Sequence, residues 1–136
     1  MPRKVILLRG NAREESGIAD ASITPGMLLE METGNALSPH AGAGAAAAAI
    51  FARAAHEDDG DGIDDNIASG SEVTAIYPEK GAKINAVTDE TIDRGEFVQS
   101  AGDGKVALFD SGVIIGVASA PSDLSGTVGR VEIIII

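Results

Sequence analysis

Residues 90–119 decide the fold and read ETIDRGEFVQSAGDGKVALFDSGVIIGVAS. Short apolar runs alternate here with glycine-containing turns, in the order 97–100, 101–104, 105–109, 110–112 and 113–118. Runs of β-branched and aromatic residues separated by Gly, Asp and Ser are typical of antiparallel strands joined by tight turns. A helix is disfavoured because glycines and two turn clusters interrupt the stretch. The pattern predicts a three-stranded meander.

An earlier stretch, residues 22–30, echoes residues 91–99. Ser-Ile-Thr-Pro-Gly-Met-Leu-Leu-Glu aligns with Thr-Ile-Asp-Arg-Gly-Glu-Phe-Val-Gln, and each copy continues into a glycine turn and a short apolar return. The shared unit is an apolar anchor, a turn with Gly at its tight position, and a strand that leaves the turn. Either the chain contains a duplication, or a small β protein has used one type of hairpin twice. Both alternatives predict an all-β fold.

Length and composition favour one domain with one core. The chain has 136 residues, 17 glycines and only 3% aromatic residues, which fits a turn-rich β protein better than a helical bundle. The absence of cysteine excludes disulfides and thiolate sites. No apolar run reaches the ~18 residues of a membrane span, and the first apolar run is too short for a signal-peptide core. We expect a β-barrel or β-sandwich domain over residues 21–136, preceded by an extended N-terminal arm over residues 1–20.

Acidic residues outnumber basic ones by 21 to 10, and the formal net charge is −11. Such a domain repels phosphates, so we expect no nucleic acid as partner. Since no apolar run is long enough to span a bilayer, we expect no membrane as partner either. Carboxylates also keep a chain soluble in high salt, where repulsion is screened, so a halophilic source is one hypothesis. Four of the basic residues lie near the start: Arg3, Lys4, Arg9 and Arg13. A basic arm suits an acidic partner, although a solvated terminus explains the same residues.

Further strands are predicted on both sides of the acidic middle of the chain. Residues 73–77 and 82–87 read as a hairpin around a Pro-Glu-Lys-Gly turn. The small-residue run 41–49 reads as a loop that leads into a strand at 50–54, although its alanines also favour a helix. The C-terminal run 130–136 is a strand by β-branching, and its four terminal isoleucines must be paired and covered to avoid aggregation.

The acidic segment 57–65 resembles calcium loops of the EF-hand and thrombospondin-repeat kind. Alternating carboxylates at Glu57, Asp59 and Asp61 precede a glycine, and oxygen ligands of this spacing suit a hard cation. The first position is Glu instead of Asp, and Ala68 stands where a bidentate acid is expected. A solvated acidic turn explains the same residues, so we assign no metal ligands. A calcium-binding β module for adhesion or matrix interaction is the alternative function.

The sequence offers no recognisable catalytic set. The two histidines, His40 and His56, lack a nucleophile motif nearby, and the chain has no phosphate-binding loop and no His-x-x-x-His metal pair. We therefore expect a protein that is not an enzyme and has no cofactor.

The order of segments resembles the small capsid decoration (cement) proteins of tailed viruses of bacteria and archaea. A basic and apolar start is followed by the segments that carry the resemblance, 23–30, 50–53, 62–65, 68–73, 95–104 and 129–133. The resemblance covers nearly the whole chain, and each of its motifs is a turn followed by a strand. The Ala/Gly run 41–49 and the extra acidity of 57–61 depart from the family pattern.

This resemblance implies a β-barrel protein, commonly a homotrimer, on the outer surface of an icosahedral virion. It implies the major capsid protein as partner and stabilisation of the expanded shell against internal DNA pressure. An N-terminal arm in this family often adds to strands of the shell protein, which is a general mode of binding. By this analogy we assign capsid contact to seven residues, with residues 5–8 adding as a strand: Arg3, Lys4, Val5, Ile6, Leu7, Leu8 and Arg9.

Overall fold

The structure, a computed structural model, describes residues 6–45, 48–53 and 62–136. These residues contain no helix, and therefore no helix long and apolar enough to cross a membrane. They form eleven β-strands: β1 (Leu7–Arg9), β2 (Ala12–Ala19), β3 (Leu29–Met31), β4 (Ala36–Pro39), β5 (Phe51–Ala52), β6 (Glu72–Pro78), β7 (Lys83–Val87), β8 (Phe97–Ser100), β9 (Val106–Leu108), β10 (Gly116–Ala118) and β11 (Arg130–Ile135).

The strands form two sheets, which confirms the predicted all-β fold. One sheet has six strands in the order β1-β7-β11-β10-β8-β9, and the other has five in the order β3-β4-β2-β6-β5. The arrangement is sandwich-like and is not a closed barrel, so the sandwich alternative is the correct one. Both sheets contribute to the larger of two apolar clusters, which packs them together.

The strands predicted as a hairpin at 73–77 and 82–87 do not pair with each other. They are β6 and β7, and they lie in different sheets. Both edges of β6 are already occupied, by β2 and by β5, so β7 has no place beside it. The turn between them, closed by the bond from the Ala82 amide to the Glu79 carbonyl (3.0 Å), carries the chain from one sheet to the other. The turn was predicted correctly and the hairpin was wrong.

The predicted meander is correct in its strands and wrong in their order. β8 and β9 form the expected hairpin, with a turn in which Gly102 and Gly104 have positive φ. The third strand, β10, pairs with β8 and β11 instead of with β9. β8 is therefore the central strand of the three. The terminal strand β11 lies between β7 and β10, so Ile133, Ile134 and Ile135 are paired as expected, whereas Ile136 follows the strand and is 56% exposed.

The echo between residues 22–30 and 91–99 extends through the whole fold. β3 and β4 pair as Leu29↔Pro39 and Met31↔Leu37, and β8 and β9 pair as Val98↔Leu108 and Ser100↔Val106. Every residue of the second hairpin lies 69 positions after its counterpart, as Val98 does after Leu29. A hairpin type used twice by coincidence shares a turn, but it has no reason to share its neighbours.

The neighbouring strands repeat as well. Gly17 of β2 pairs with Val73 of β6, and their counterparts Ala86 of β7 and Val131 of β11 also pair. The five-stranded sheet thus consists of β2 to β6 (residues 12–78, repeat 1). The six-stranded sheet consists of β7 to β11 (residues 83–135, repeat 2) together with β1. The strands β2 to β6 correspond, in this order, to β7 to β11. This correspondence of whole sheets favours a duplication over two independent hairpins.

The described part of the predicted N-terminal arm belongs to the two sheets. β1 pairs with β7, and β2 pairs with β6 over seven residues. Residues 6–19 are therefore not an extended arm, because backbone groups and apolar side chains of this segment are already used within the fold. A boundary at residue 20 falls inside repeat 1. Residues 1–5 lie outside the described residues.

Candidate interaction surfaces

The residues predicted to contact a capsid divide into two groups. Arg3, Lys4 and Val5 lie outside the described residues. Ile6 is fully buried in the larger cluster, and Leu7 and Leu8 are half-buried, whereas Arg9 is exposed. Ile6 and Leu7 thus pack on the protein's own core, whereas Leu8 belongs to neither apolar cluster. Among the described residues, β1 is the edge strand of the six-stranded sheet, and no strand pairs with its outer edge.

The acidic segment is described only from Gly62 onward, so Glu57, Asp59 and Asp61 lie outside the described residues, as does His56. Gly62 has φ +90°, as a tight turn requires. Asp64 faces Arg130 at 3.1 Å, so this carboxylate neutralises a cation of the protein itself. Among the described residues, no three His, Cys, Asp or Glu side chains lie close enough to hold a metal ion.

Arg130 joins three parts of the chain. Its guanidinium donates to the carbonyls of Pro25 (2.9 Å) and Ile63 and pairs with Asp64. Burial lowers the pKa of Arg130, because the charged form loses hydration, and the bond to Asp64 opposes this shift. The guanidinium forms one wall of a cavity of about 200 Å³. Since every one of these acceptors belongs to the fold itself, Arg130 is a structural clamp between the two repeats.

His40, one of the two histidines of the sequence, lies at the same interface between the two repeats (the joint). It is 5% exposed, and its Nδ1 lies 2.7 Å from the Oγ of Ser100, which is fully buried. The Gly104 amide donates to the His40 carbonyl (3.1 Å), and the Leu28 amide donates to the Gly104 carbonyl (2.7 Å). These bonds fasten repeat 1 to the β8–β9 turn of repeat 2.

A row of apolar side chains crosses the outer face of the six-stranded sheet. Phe109, Phe97, Val117 and Ile134 (the apolar row) lie side by side on four adjacent strands or their ends, because Phe97 pairs with Val117 and Val117 with Ile134. The Phe109 amide donates to the Phe97 carbonyl (2.8 Å). Phe97 is 46% exposed and Phe109 is 40% exposed. Contiguous exposed apolar surface with aromatic residues indicates a contact with another molecule.

A cleft opens between β2 and β4 in repeat 1. Its volume is about 140 Å³, and its lining includes Glu15, Met31, Glu32, Asn35 and Tyr77. The Tyr77 hydroxyl donates to Glu15 (3.0 Å). Burial, and then the hydrogen bond and the negative charge of Glu15, raise the pKa of Tyr77. Met31 is 58% exposed, so the cleft presents a flexible apolar side chain between two carboxylates.

Sequence reasoning missed both of these surfaces. The available signal was the echo itself: the alignment of 22–30 with 91–99 sets Leu28 opposite Phe97, and continued further it sets His40 opposite Phe109. Two of the three phenylalanines of the chain are in the apolar row. The sequence did not indicate that one member of each pair is buried and the other exposed.

Comparison with known proteins bears on the fold alone. No protein-family model matches the chain. No curated protein sequence matches it either. The structure is similar to a solved structure described as "The crystal structure of head fiber gp8.5 N base in bacteriophage phi29", with a TM-score of 0.66 and 12% sequence identity. The similarity covers 93% of this chain and 95% of that chain. The chain therefore shares its fold, over nearly its full length, with the base of a phage head fiber.

Proposed function

We propose that this protein is a structural component of a virus particle, which binds the outside of an icosahedral capsid as trimers and stabilises the shell. The observation that carries the proposal is the end-to-end similarity of the fold to a bacteriophage head fiber base. The exposed apolar row adds support, because contiguous exposed apolar surface is typical of contacts with other proteins.

The partner in this proposal is the major capsid protein, and the contact lies at the start of the chain. Because β1 is the edge strand of its sheet among the described residues, an extended segment of a shell subunit can pair along it. Arg9 is exposed beside this edge and, with Arg3 and Lys4, brings positive charge to an otherwise acidic protein. Each contact is small, and the many equivalent positions of a shell make the attachment stable.

The deciding experiment measures the copy number of this chain in purified particles of its virus, relative to the major capsid protein, by quantitative mass spectrometry. A ratio near one to one supports decoration of the whole lattice. A few copies per particle indicate a vertex or fibre role, and complete absence contradicts the proposal. Shells with and without the protein are then heated together, and the proposal expects the decorated shells to release their DNA at the higher temperature.

Deletion of residues 2–5 together with Arg9→Glu tests the contact itself. We expect the variant to lose co-sedimentation with undecorated shells and to keep the wild-type circular dichroism spectrum. Lys80→Ala is the matched control, since Lys80 is an exposed cation in the β6–β7 turn, and it is expected to bind shells normally. Unchanged binding of the deletion variant contradicts the assigned contact. A melting temperature that rises with calcium and loses this rise in Asp59→Ala/Asp61→Ala favours the alternative calcium-binding module.

A further inference from the structure

The apolar row of repeat 2 has a counterpart at the equivalent positions of repeat 1, and only the counterpart is covered. In repeat 1 the row that corresponds to the apolar row consists of His40, Leu28, Phe51 and Ile76. Leu28 and Phe51 are fully buried, and Ile76 is 2% exposed. All three belong to the larger cluster, whose remaining members come mainly from repeat 2. The same row of positions is thus an internal interface in repeat 1 and an open surface in repeat 2.

The buried row of repeat 1 lies against one gap of repeat 2, the gap between β7 and β9. These strands are joined by a single bridge, Thr88↔Val106. On one side of the gap, the Val87 amide donates to the Gly26 carbonyl (3.3 Å). On the other side, Gly104 bonds to Leu28 and His40. The joint therefore consists of a row from one repeat seated at the β7–β9 gap of the other.

The cleft between β2 and β4 is the counterpart of this gap in repeat 1. Of its lining residues, Ser16 corresponds to Asn85, Met31 to Ser100, and Asn35 to Gly104. In repeat 2 the equivalent positions lie in the joint with repeat 1, whereas Ser16, Met31 and Asn35 are exposed. In the part of the chain that the structure describes, the apolar row of repeat 2 is therefore not seated in a cleft, and the β2–β4 cleft of repeat 1 holds no row.

Charged residues lie around both free surfaces, and those beside the row are of both signs, because Glu132 shares a strand face with Ile134. Lys83 extends the apolar row beyond Ile134, and Arg94 precedes Phe97 in the turn before β8. The cleft carries Glu15 and Glu32. The row of one molecule is therefore favoured as occupant of the cleft of another by the equivalence with the internal joint, and Lys83 and Arg94 bring two cations towards the carboxylates of the cleft.

The correspondence between the two repeats also predicts one ion pair between neighbouring molecules. Arg130 donates to the Pro25 carbonyl in the internal joint. The counterpart of Arg130 in repeat 1 is Glu72, and the counterpart of Pro25 in repeat 2 is Arg94. A second copy seated in the same way brings Arg94 next to Glu72, and both side chains are exposed.

We propose that copies of this chain associate head to tail, with the apolar row of one molecule seated in the β2–β4 cleft of the next. The contact repeats between molecules the joint that already holds repeat 1 to repeat 2. Because the two surfaces differ, the contact is heterologous, and it forms a ring when the rotation closes and a filament when it does not. The inference rests on the proposed function, in which copies of the chain associate as trimers on the capsid. Its test uses no capsid, so that self-association is measured separately from capsid binding.

Two variants separate the surfaces. Phe97→Asp removes an aromatic anchor of the row and adds a charge that the acidic cleft repels, and Met31→Asp removes the apolar side chain of the cleft. Both residues are exposed, so we expect each variant to keep the wild-type melting temperature. Phe97→Ser replaces Phe97→Asp if the latter unfolds. Leu124→Asp, at a site 43% exposed and outside the row, is the matched control.

Sedimentation velocity gives the result. We expect the wild type and Leu124→Asp to associate alike, and each surface variant alone to be monomeric, with the Kd of association raised about tenfold or more. An equal mixture of the two variants is expected to form dimers and nothing larger, because only one intact row and one intact cleft remain per pair.

Three outcomes overturn the inference: a monomeric wild type, self-association of Phe97→Asp that equals the wild type, or a mixture that contains no dimer of one variant with the other. A monomeric wild type that still binds shells contradicts this inference and leaves capsid binding standing. Head-to-tail association of a protein that does not bind shells supports this inference and contradicts capsid binding.

Tyr77 gives an independent readout. It lines the cleft and is the only tyrosine in a chain that has no tryptophan. Its emission is expected to change with protein concentration in the wild type and to stay constant in Phe97→Asp. A constant emission in an associating wild type shows that the cleft is not the contact.

Discussion

Leu28 and Phe97 occupy equivalent positions in the two repeats, yet Leu28 is fully buried and Phe97 is 46% exposed. Each is paired to the equivalent strand, Leu28 with Phe51 and Phe97 with Val117. The difference is therefore not local. It arises because a chain of two repeats contains one joint, so one of the two rows is covered and the other is left on the surface.

Two equivalent glycines test the position of this joint. Gly26 and Gly95 both have φ +91° at the same place in the two turns. A Cβ on Gly95 meets nothing within 4 Å, whereas one on Gly26 lies 2.5 Å from Arg130 Nη1 and 2.6 Å from the Asn85 carbonyl. We expect Gly95→Ala to cost about 1–2 kcal/mol from backbone strain, and Gly26→Ala to cost about 3 kcal/mol or more.

Urea denaturation of the two variants measures this difference. Since the backbone strain is the same, the excess cost of Gly26→Ala reports the joint alone. Equal losses of stability contradict the assignment of Gly26 to the interface between the repeats.

Arg130 is expected to be the most sensitive single side chain of the joint. Arg130→Met leaves the carbonyls of Pro25 and Ile63 without this donor, and we expect the free energy of unfolding to fall by about 3 kcal/mol. Arg130→Lys keeps the charge but not the planar fork, so it is expected to recover only part of the loss. Asp64→Asn is expected to cost about 1 kcal/mol or less, because Asp64 is 49% exposed. A larger loss in Asp64→Asn than in Arg130→Met contradicts the clamp.

The pKa of Tyr77 can be read directly from the absorbance of tyrosinate, because the chain has one tyrosine. We expect a pKa above the ordinary value of 10.0, owing to burial and then to the hydrogen bond and charge of Glu15. Glu15→Ala is expected to lower this pKa part of the way, since burial remains. A group with a raised folded-state pKa contributes stability that is present below pH 10.0 and is lost as the pH rises through the folded-state pKa.

Tyr77→Phe checks the sign of this linkage. The variant is expected to lose less stability than the wild type as the pH passes 10.0, because it has no phenol to ionise. An equal loss of stability in both proteins contradicts the assignment, as does a Tyr77 pKa that does not respond to Glu15→Ala.

Salt is expected to stabilise the protein, because its net charge is −11. Between about 0.1 M and about 1 M NaCl the Debye length falls from about 10 Å to about 3 Å, which screens repulsion between surface carboxylates. We expect the melting temperature to rise across this range. The rise should be smaller in Asp20→Lys/Glu79→Lys, where two exposed acids are reversed. A melting temperature that is constant or falls removes the hypothesis of a halophilic source.

The sequence by itself determined the local structure. The turns at Gly26, Gly95 and Gly102 were predictable because positive φ favours glycine, and the structure has positive φ at all three. The strands around them were predictable because β-branched runs between turns have few alternatives. The all-β class follows from these elements together, and so does the echo that turned out to be a repeat.

Only the tertiary structure decided which strands meet and which surfaces remain open. β7 crosses to the second sheet because β2 and β5 occupy both edges of β6, and β10 lies between β8 and β11 instead of beside β9. These strand pairings depend on contacts between residues far apart in the chain, and local sequence patterns do not predict them. Leu28 and Phe97 are both apolar residues beside the same turn, and the physical difference between them is the neighbour that packs against one and not the other.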